Sequence, residues 1–337
     1  MKKVVTIGGG TGSFTLLSGL KKYPIELSAI VSMADDGGST GILRDELGVL
    51  PPGDVRQCLV ALSDTPDMLR ELMNYRFAEG GLEGHSFGNI FLSALEKITG
   101  DFGRGVEEAA KILNVRGQVI PVTLSNTRLY MELQNDDLLA GEHEINVSQK
   151  FEKVGVKRVL LRPKPKANPL AIKKILEADL IIIGPGNHYC AIIPNLLVPG
   201  IAEALRNTKA KIVYNCNLIS KHGQTDLFSL KDYVREINGY IGRERIDYVT
   251  YNTKKPDARL LKKYRFYGLL VPFLNDRTRT YRVVQTDLLS GEKIRRKRED
   301  KVAHTRAFIR HDPEKLAKVL VMLLELEGYE SILKDIV

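Results

Sequence analysis

Val4-Val5-Thr6-Ile7-Gly8-Gly9-Gly10-Thr11-Gly12-Ser13 is the stretch on which the fold turns. A short β-branched, apolar run stops abruptly at glycine. The residues beyond it, 14–22, have the apolar spacing of a helix, so the order is strand, glycine turn, helix. Such a turn exposes backbone N–H groups, and the helix N-terminus adds a partial positive charge. Together they suit a diphosphate. Against the dinucleotide fingerprint G-x-G-x-x-G, the third glycine position holds Ser13, and the Gly-Lys-Ser/Thr ending of a P-loop is missing. The competing reading is a tight strand–helix turn that is merely rich in glycine. The apolar run from Val4 to Ile7 is too short for a signal-peptide core of about 7–15 residues, so it reads as a strand rather than a leader.

The same alternation continues outward. Strands are predicted at 25–33, 118–123, 180–183 and 211–215. Helices are predicted at 54–62, 68–75, 89–98, 106–113 and 171–177. Short apolar strands bounded by glycine and separated by helices imply βαβ units. Residues 129–144, with the turn Asn135-Asp136-Asp137, read as a β-hairpin excursion. A last helix over 313–327 carries an apolar stripe through Leu316, Val319, Leu320, Leu323 and Leu324, with Pro313 in its first turn. The predicted fold is therefore α/β: a Rossmann-like, doubly wound, mainly parallel sheet with helices on both faces, the hairpin excursion and a C-terminal helix. One domain spans 1–337, and 241–307 is a basic extension or insertion whose elements are the hardest to read.

At 337 residues the chain can bury a full core, and its 43% hydrophobic and 27% charged composition excludes a disordered tail protein. No run approaches the ~20 apolar residues of a membrane helix, so no membrane insertion is expected. The net charge of +9 invites a nucleic-acid reading. Its densest runs, Lys254-Lys255, 259–263 and Arg295-Arg296-Lys297-Arg298, carry no recognisable nucleic-acid motif and are interrupted by acids. Anionic small molecules or a solvated face fit better, and no nucleic-acid partner is expected. Cys58, Cys190 and Cys216 have no metal-like spacing, and a reducing, cytoplasmic setting is expected.

Five more loops end strands or precede helices as the first does. Ala34-Asp35-Asp36-Gly37-Gly38-Ser39-Thr40-Gly41 follows the second strand, and its paired acids suit a sugar hydroxyl or Mg²⁺; the plain alternative is a polar turn with an Asp N-cap. In Pro51-Pro52-Gly53-Asp54-Val55-Arg56, Asp54 either caps a helix or faces the ligand, with Arg56 on a phosphate. His85-Ser86-Phe87-Gly88-Asn89 makes Asn89 a candidate base or ribose contact. Gly184-Pro185-Gly186-Asn187-His188 follows a very apolar strand. Asn215-Cys216-Asn217-Leu218, with Gly223-Gln224-Thr225-Asp226, follows the next; Cys216 reads there as a buried thiol without a partner base.

These loops together resemble the CofD/YvcK family, and more closely its YvcK-like, gluconeogenesis-factor branch. The resemblance runs from residue 3 to about 240 and resumes over 308–312. It is carried by GGGTGSFTLLSGLK (8–21), VSMADDGGSTGILRDELGVLPPGDVRQCLVALS (31–63), HSFGNIFLSAL (85–95), ADLIIIGPGN (178–187), IIPNLLVPGI (192–201), NCNL (215–218) and GQTD (223–226). It implies a cytoplasmic protein that binds UDP-sugars, notably UDP-N-acetylglucosamine, and is tied to carbon metabolism, cell shape and wall synthesis, with no cofactor required. The alternative it implies is the CofD-type transferase, which uses Mg²⁺ to move a phospholactyl-like group from a nucleoside diphosphate to a deazaflavin. Carried over by motif, Gly9, Gly10, Thr11, Gly12 and Ser13 cradle the diphosphate. Asp35 and Asp36 line the pocket, Asn187 and Asn217 contribute from later loops, and Arg310 of Ile309-Arg310-His311-Asp312 helps hold the nucleotide sugar. The sequence departs from the family's pattern at His188 and Cys190. Pro313 stands where some relatives have a phosphorylatable threonine. An NAD(P) oxidoreductase is a weaker reading, because no hydride-handling residues accompany the glycine turn. A homodimer is the expected assembly, symmetric dimers being commonest.

Overall fold

The computed structural model describes residues 1–148, 154–274, 278–291 and 309–336, with side chains up to 326. Residues 292–308, which include the basic run 295–298 and Phe308, lie outside the described residues.

Ten strands are found among them: β1 (Lys3–Gly8), β2 (Glu26–Val31), β3 (Gln118–Pro121), β4 (Arg128–Leu133), β5 (Leu138–Ala140), β6 (Val156–Arg162), β7 (Leu180–Ile183), β8 (Lys211–Asn215), β9 (Tyr248–Asn252) and β10 (Arg282–Thr286). Seven form one sheet in the order β10-β9-β8-β7-β1-β2-β3, and every neighbouring pair is parallel. Helices cover both faces, so central strands are apolar throughout: all four residues of β7 are buried, as are five of the six in β1. From β1 the chain winds outward through β2 and β3, then returns to β7 on the other side and winds outward again. A crevice is left above the carboxyl ends of β1 and β7, where the winding direction changes.

Between β3 and β7 the chain makes its excursion. The predicted hairpin is β4 and β5, joined through Asp136 at φ 67°. The sequence did not reveal the third strand, β6, which pairs antiparallel to β4 on its other edge. A one-turn-plus helix, Glu142–Val147, follows β5. The 241–307 stretch contributes β9 and β10 to the main sheet, and so extends the fold rather than standing apart from it.

One helix begins earlier than its sequence suggests, and another was not read from the sequence at all. The first spans Gly10–Leu20, with Gly9 as its extended N-cap, so Gly10 to Ser13 form its first turn rather than an open loop. A helix over Gly38–Leu47 starts inside what reads as a glycine-rich turn. The C-terminal helix, Pro313–Ile336, buries Leu316, Leu320, Leu323 and Leu324. It crosses the first helix at Gly19, where a Cβ would run into the Pro313 carbonyl oxygen.

Candidate functional site

The glycine turn is shaped first by packing. A Cβ at Gly12 would strike the carbonyl of Pro185, so this glycine lets the turn after β1 close against the turn after β7. A Cβ at Gly9 would strike the Asp54 carboxylate. Gly10, at φ +64°, needs the left-handed conformation open to glycine. Ser13 is buried, its Oγ packed over Gly8, and the Thr11 carbonyl accepts the Thr15 hydroxyl at 3.1 Å.

Asp54 does not cap its helix. The helix Gly53–Leu62 has Pro52 at its N-cap, and Asp54 in its first turn instead accepts the Gly10 N–H. Asp35 accepts from Gly37 N at 3.0 Å and from Thr40 Oγ1 at 2.8 Å. Asp36 accepts from His143 N at 2.7 Å and so anchors the start of the Glu142–Val147 helix. A Cβ at Gly141 would meet that same Asp36 carboxylate. Glu142, brought in by the excursion, is the fourth acid of this group. Burial raises the carboxyls of Asp35, Asp54 and Glu142. Mutual repulsion adds to it, pushing Asp54 to about 8 and Glu142 well above the usual carboxylate range. Asp54 therefore holds at neutral pH a proton that a solvated carboxylate would have released.

Arg56 and Asn89 belong to the framework and not to the crevice. Arg56, buried, donates to Asn89 Oδ1 at 2.9 Å, to the Met73 carbonyl at 3.1 Å and to Asn74 Oδ1 at 2.9 Å. Asn89 in turn donates to Ser39 and Thr40 hydroxyls at 3.3 Å, tying the Phe87–Thr99 helix to the first turn of the Gly38–Leu47 helix.

The excursion joins the two sides of the crevice. Asn146 donates to Glu142, accepts Asn187 Nδ2 at 2.8 Å and receives the Cys190 thiol at 3.8 Å. Gln224 Nε2 reaches the Ile145 carbonyl at 3.1 Å. From the far side, Asn217 Nδ2 donates to the Gly186 carbonyl at 2.9 Å. Asp36, Asn187 and Asn217 are thus linked through one helix and one loop, and Gly12 abuts the same loop. The Oδ1 atoms of Asn187 and Asn217 are buried and meet no partner among the described residues. Each is an acceptor awaiting a donor.

His188 points away from this crevice. It is fully buried, bonded through Nε2 to Glu236 at 2.7 Å, with Tyr189, Phe228 and Tyr233 set edge-on to its ring. The departure from the family's pattern at this position is therefore absorbed by the Leu230–Ile241 helix, from which Glu236 comes. The His311 imidazole donates to the Cys216 carbonyl, and burial pushes it down to about 4, so it stays neutral. This bond brings the 309–312 string to the end of β8; Arg310 is half-buried there, its carbonyl accepting Ser290 N at 2.9 Å.

Next to Asn217 a cavity of about 250 Å³ opens between the ends of β8 and β9, lined by Leu218, Tyr251, Lys254, Lys255, Leu270 and Val271 among others. Glu142, Asn146 and Tyr251 carry no sequence signal of their own; Glu142 and Asn146 come from the helix after β5 and Tyr251 from β9.

Comparison with known proteins agrees with this architecture. Residues 4–298 match the family described as "2-phospho-L-lactate transferase CofD". The chain is 46% identical to a protein of Nostoc sp. over 95% of its own length and 68% of the relative's. It is 40% identical to the "Gluconeogenesis factor" of Bacillus subtilis (strain 168), over 96% of this chain and 98% of that one. A crystal structure of a UPF0052-family protein from Bacillus halodurans superposes with a TM-score of 0.84 at 36% identity, covering 95% of this chain and 99% of the other. With an all-parallel doubly wound sheet, glycine turns at the carboxyl ends of β1 and β7, and matches of this length, the chain belongs to the CofD family, on its YvcK-like, gluconeogenesis-factor branch.

Proposed function

We propose that the protein binds a UDP-sugar, with UDP-N-acetylglucosamine the first candidate, and acts as a regulatory protein of carbon metabolism, cell shape and wall synthesis rather than by turnover. The observation that carries this reading is the meeting, on one sheet edge, of a helix N-terminus suited to phosphate with two buried asparagine oxygens that need donors. Sugar and ribose hydroxyls and base N–H groups are such donors. The relatives' name supplies the metabolic setting. Burial pushes the thiols of Cys58, Cys190 and Cys216 up, so none of the three offers a thiolate at neutral pH. Isothermal titration of the full chain with UDP-N-acetylglucosamine tests the reading: saturable heat at micromolar ligand is expected, and none at millimolar ligand overturns it.

A second reading, the Mg²⁺-dependent CofD-type transferase, draws on the acid group Asp35, Asp36 and Asp54. Among the described residues no three His, Cys, Asp or Glu side chains are grouped to hold a metal ion. Asp35, Asp36 and Asp54 each already accept a backbone N–H. The fit is to Mg²⁺ held by one or two carboxylates together with substrate phosphates, the ion neutralising charge on the departing diphosphate. Product formed from a nucleoside-diphospho-acyl donor and a deazaflavin, with Mg²⁺ present, would establish this second reading in place of the first.

A further inference from the structure

We infer that the surface carried by residues 219–231 and 258–274 is a docking face for an anionic membrane surface, on which the protein lies without spanning it. The crevice and its ligand play no part in this face.

The backbone places the residues. Segments 218–222 and 267–271 run antiparallel: Ser220 N donates to the Leu269 carbonyl at 2.8 Å, His222 N to the Tyr267 carbonyl at 2.9 Å, and Ile219 bridges Leu270. Alternation along such a ribbon puts Ile219 and Leu270 on one side and Tyr267 and Leu269 on the other. The protein itself takes up the first side, since Leu270 lines the cavity and Ile219 packs with Tyr264, Leu289 and Ile309. The second side stands in solvent. Leu230 N donates to the Pro272 carbonyl at 3.1 Å, which brings the segment carrying Leu227 beside the one carrying Leu274.

Leu227, Phe266, Tyr267, Leu269 and Leu274 are between 50% and 93% exposed. Side chains lining a groove would be covered on two sides and could not be this open, so these five project. Scattered single leucines on a surface need no explanation, but five large apolar side chains on two joined segments mark an interaction surface.

The charge around them is positive. Residues 254–274 carry six Lys or Arg against one acid, Asp257. That carboxylate caps the helix Ala258–Tyr264, accepting Arg259 N at 2.8 Å. The helix turns Leu260 and Leu261 inward with buried Tyr264 and leaves Lys262 and Lys263 exposed. Arg265 lies over the Phe266 ring at 5.1 Å. On the neighbouring segment Asp226 is engaged by His222 at 3.0 Å, and Asp232 by Ser229 and Arg235. The acids here thus spend their charge on local partners. An acidic polypeptide would match the basic residues alone. A bilayer with anionic headgroups matches both features: ammonium groups meet phosphates, while aromatic rings and leucines enter the headgroup–acyl boundary.

Vesicle flotation of the full-length protein tests the assignment. Binding should be at least tenfold tighter to vesicles of phosphatidylglycerol and phosphatidylcholine in equal parts than to phosphatidylcholine alone. It should weaken at about 1 M salt, where the Debye length is about 3 Å. Phe266→Ala with Leu269→Ala, and separately Lys262→Glu with Arg265→Glu, should each weaken it at least fivefold. Lys97→Glu with Arg104→Glu, the same change of charge on the Phe87–Thr99 and Phe102–Ile112 helices, should weaken it less than twofold. All six side chains are exposed, so the variants should keep the fold, which thermal unfolding checks. The chain has no tryptophan, so Phe266→Trp supplies a single reporter whose emission should shift to the blue on the anionic vesicles. Equal binding to both vesicle types, an unshifted reporter, or equal losses from the two charge-reversal pairs overturns the assignment. Absence of vesicle binding overturns it too, and retention on immobilised polyglutamate, abolished by Lys262→Glu with Arg265→Glu, would then give the face to an acidic protein.

Discussion

At the β1–β2 end of the crevice Asp35, Asp36, Asp54 and Glu142 crowd around helix starts, and burial raises the carboxyls of Asp35, Asp54 and Glu142. At the β8–β9 end the polar groups are the neutral amides of Asn217 and Asn252, the Thr253 hydroxyl and the ammonium groups of Lys254 and Lys255, set among Leu218, Tyr251, Leu270 and Val271. Both ends are made the same way, from loops leaving parallel strands. The contrast shows that topology supplies the concavity and the loops supply its chemistry. It also gives a ligand a direction. An anion beside the glycine turn requires the acids there to stay protonated or to share a cation, while the far end imposes no such condition.

The largest expected effect comes from breaking the seam between the two ends. Gly12→Ala would force the turn after β1 away from Pro185; a loss of about 3 kcal/mol in urea denaturation is expected, with loss of nucleotide-sugar binding. Stability within 1 kcal/mol of the parent would mean that the seam is not tight.

Neutralising the acidic end ranks next. The Asp54 carboxyl holds its proton up to about pH 8 in the folded protein but gives it up near pH 4 when unfolded. Below pH 4 both states are protonated and the group contributes nothing. As pH rises from about 4 to about 8 the unfolded state alone ionises, and stability falls. Asp54→Asn keeps an acceptor for Gly10 N–H and removes this loss. It should raise stability by about 2 kcal/mol at pH 8 and by almost nothing at pH 4, the figure being held down because the residue is only half-buried. Thermal unfolding followed across that range checks it, and a shift that does not grow with pH contradicts it.

At the far end, Arg310→Ala should weaken nucleotide-sugar binding by about 1–3 kcal/mol, the size of a charged hydrogen bond. An unchanged dissociation constant in a folded variant removes Arg310 from the site. Smallest of all, Leu227→Ser, at a side chain 93% exposed and outside both ends, should change stability by less than about 0.5 kcal/mol. A larger change there would show that the surface outside the crevice matters more than this comparison allows.

The strands that were legible, β1, β2, β3, β7 and β8, are the buried ones, where both faces demand apolar residues. β9 and β10 were not, because only part of β9 is buried and β10 is half-exposed along its length, so neither alternates cleanly. The Gly38–Leu47 helix was hidden by its opening Gly-Ser-Thr-Gly, residues that favour turns until Asp35 accepts Gly37 N and Thr40 Oγ1 beside its first turn. Asp54 read equally as a cap or as a group facing the ligand, since an acid in a first turn suits a helix start whatever else it touches. Only the approach of Gly9 and Gly10 from 45 residues earlier turns it toward the crevice.

By itself the sequence determined the parallel α/β architecture, the family and the places where glycine turns end strands, because strand burial and turn chemistry are local demands written residue by residue. Tertiary structure alone decided which polar groups face the crevice. It sent Arg56, Asn89 and His188 into the framework, drew Glu142 and Asn146 in from the excursion, and left Asn187 and Asn217 each with an oxygen to offer. Those outcomes depend on contacts between segments dozens of residues apart, where a hydrogen bond made on one side of an amide fixes what the other side presents.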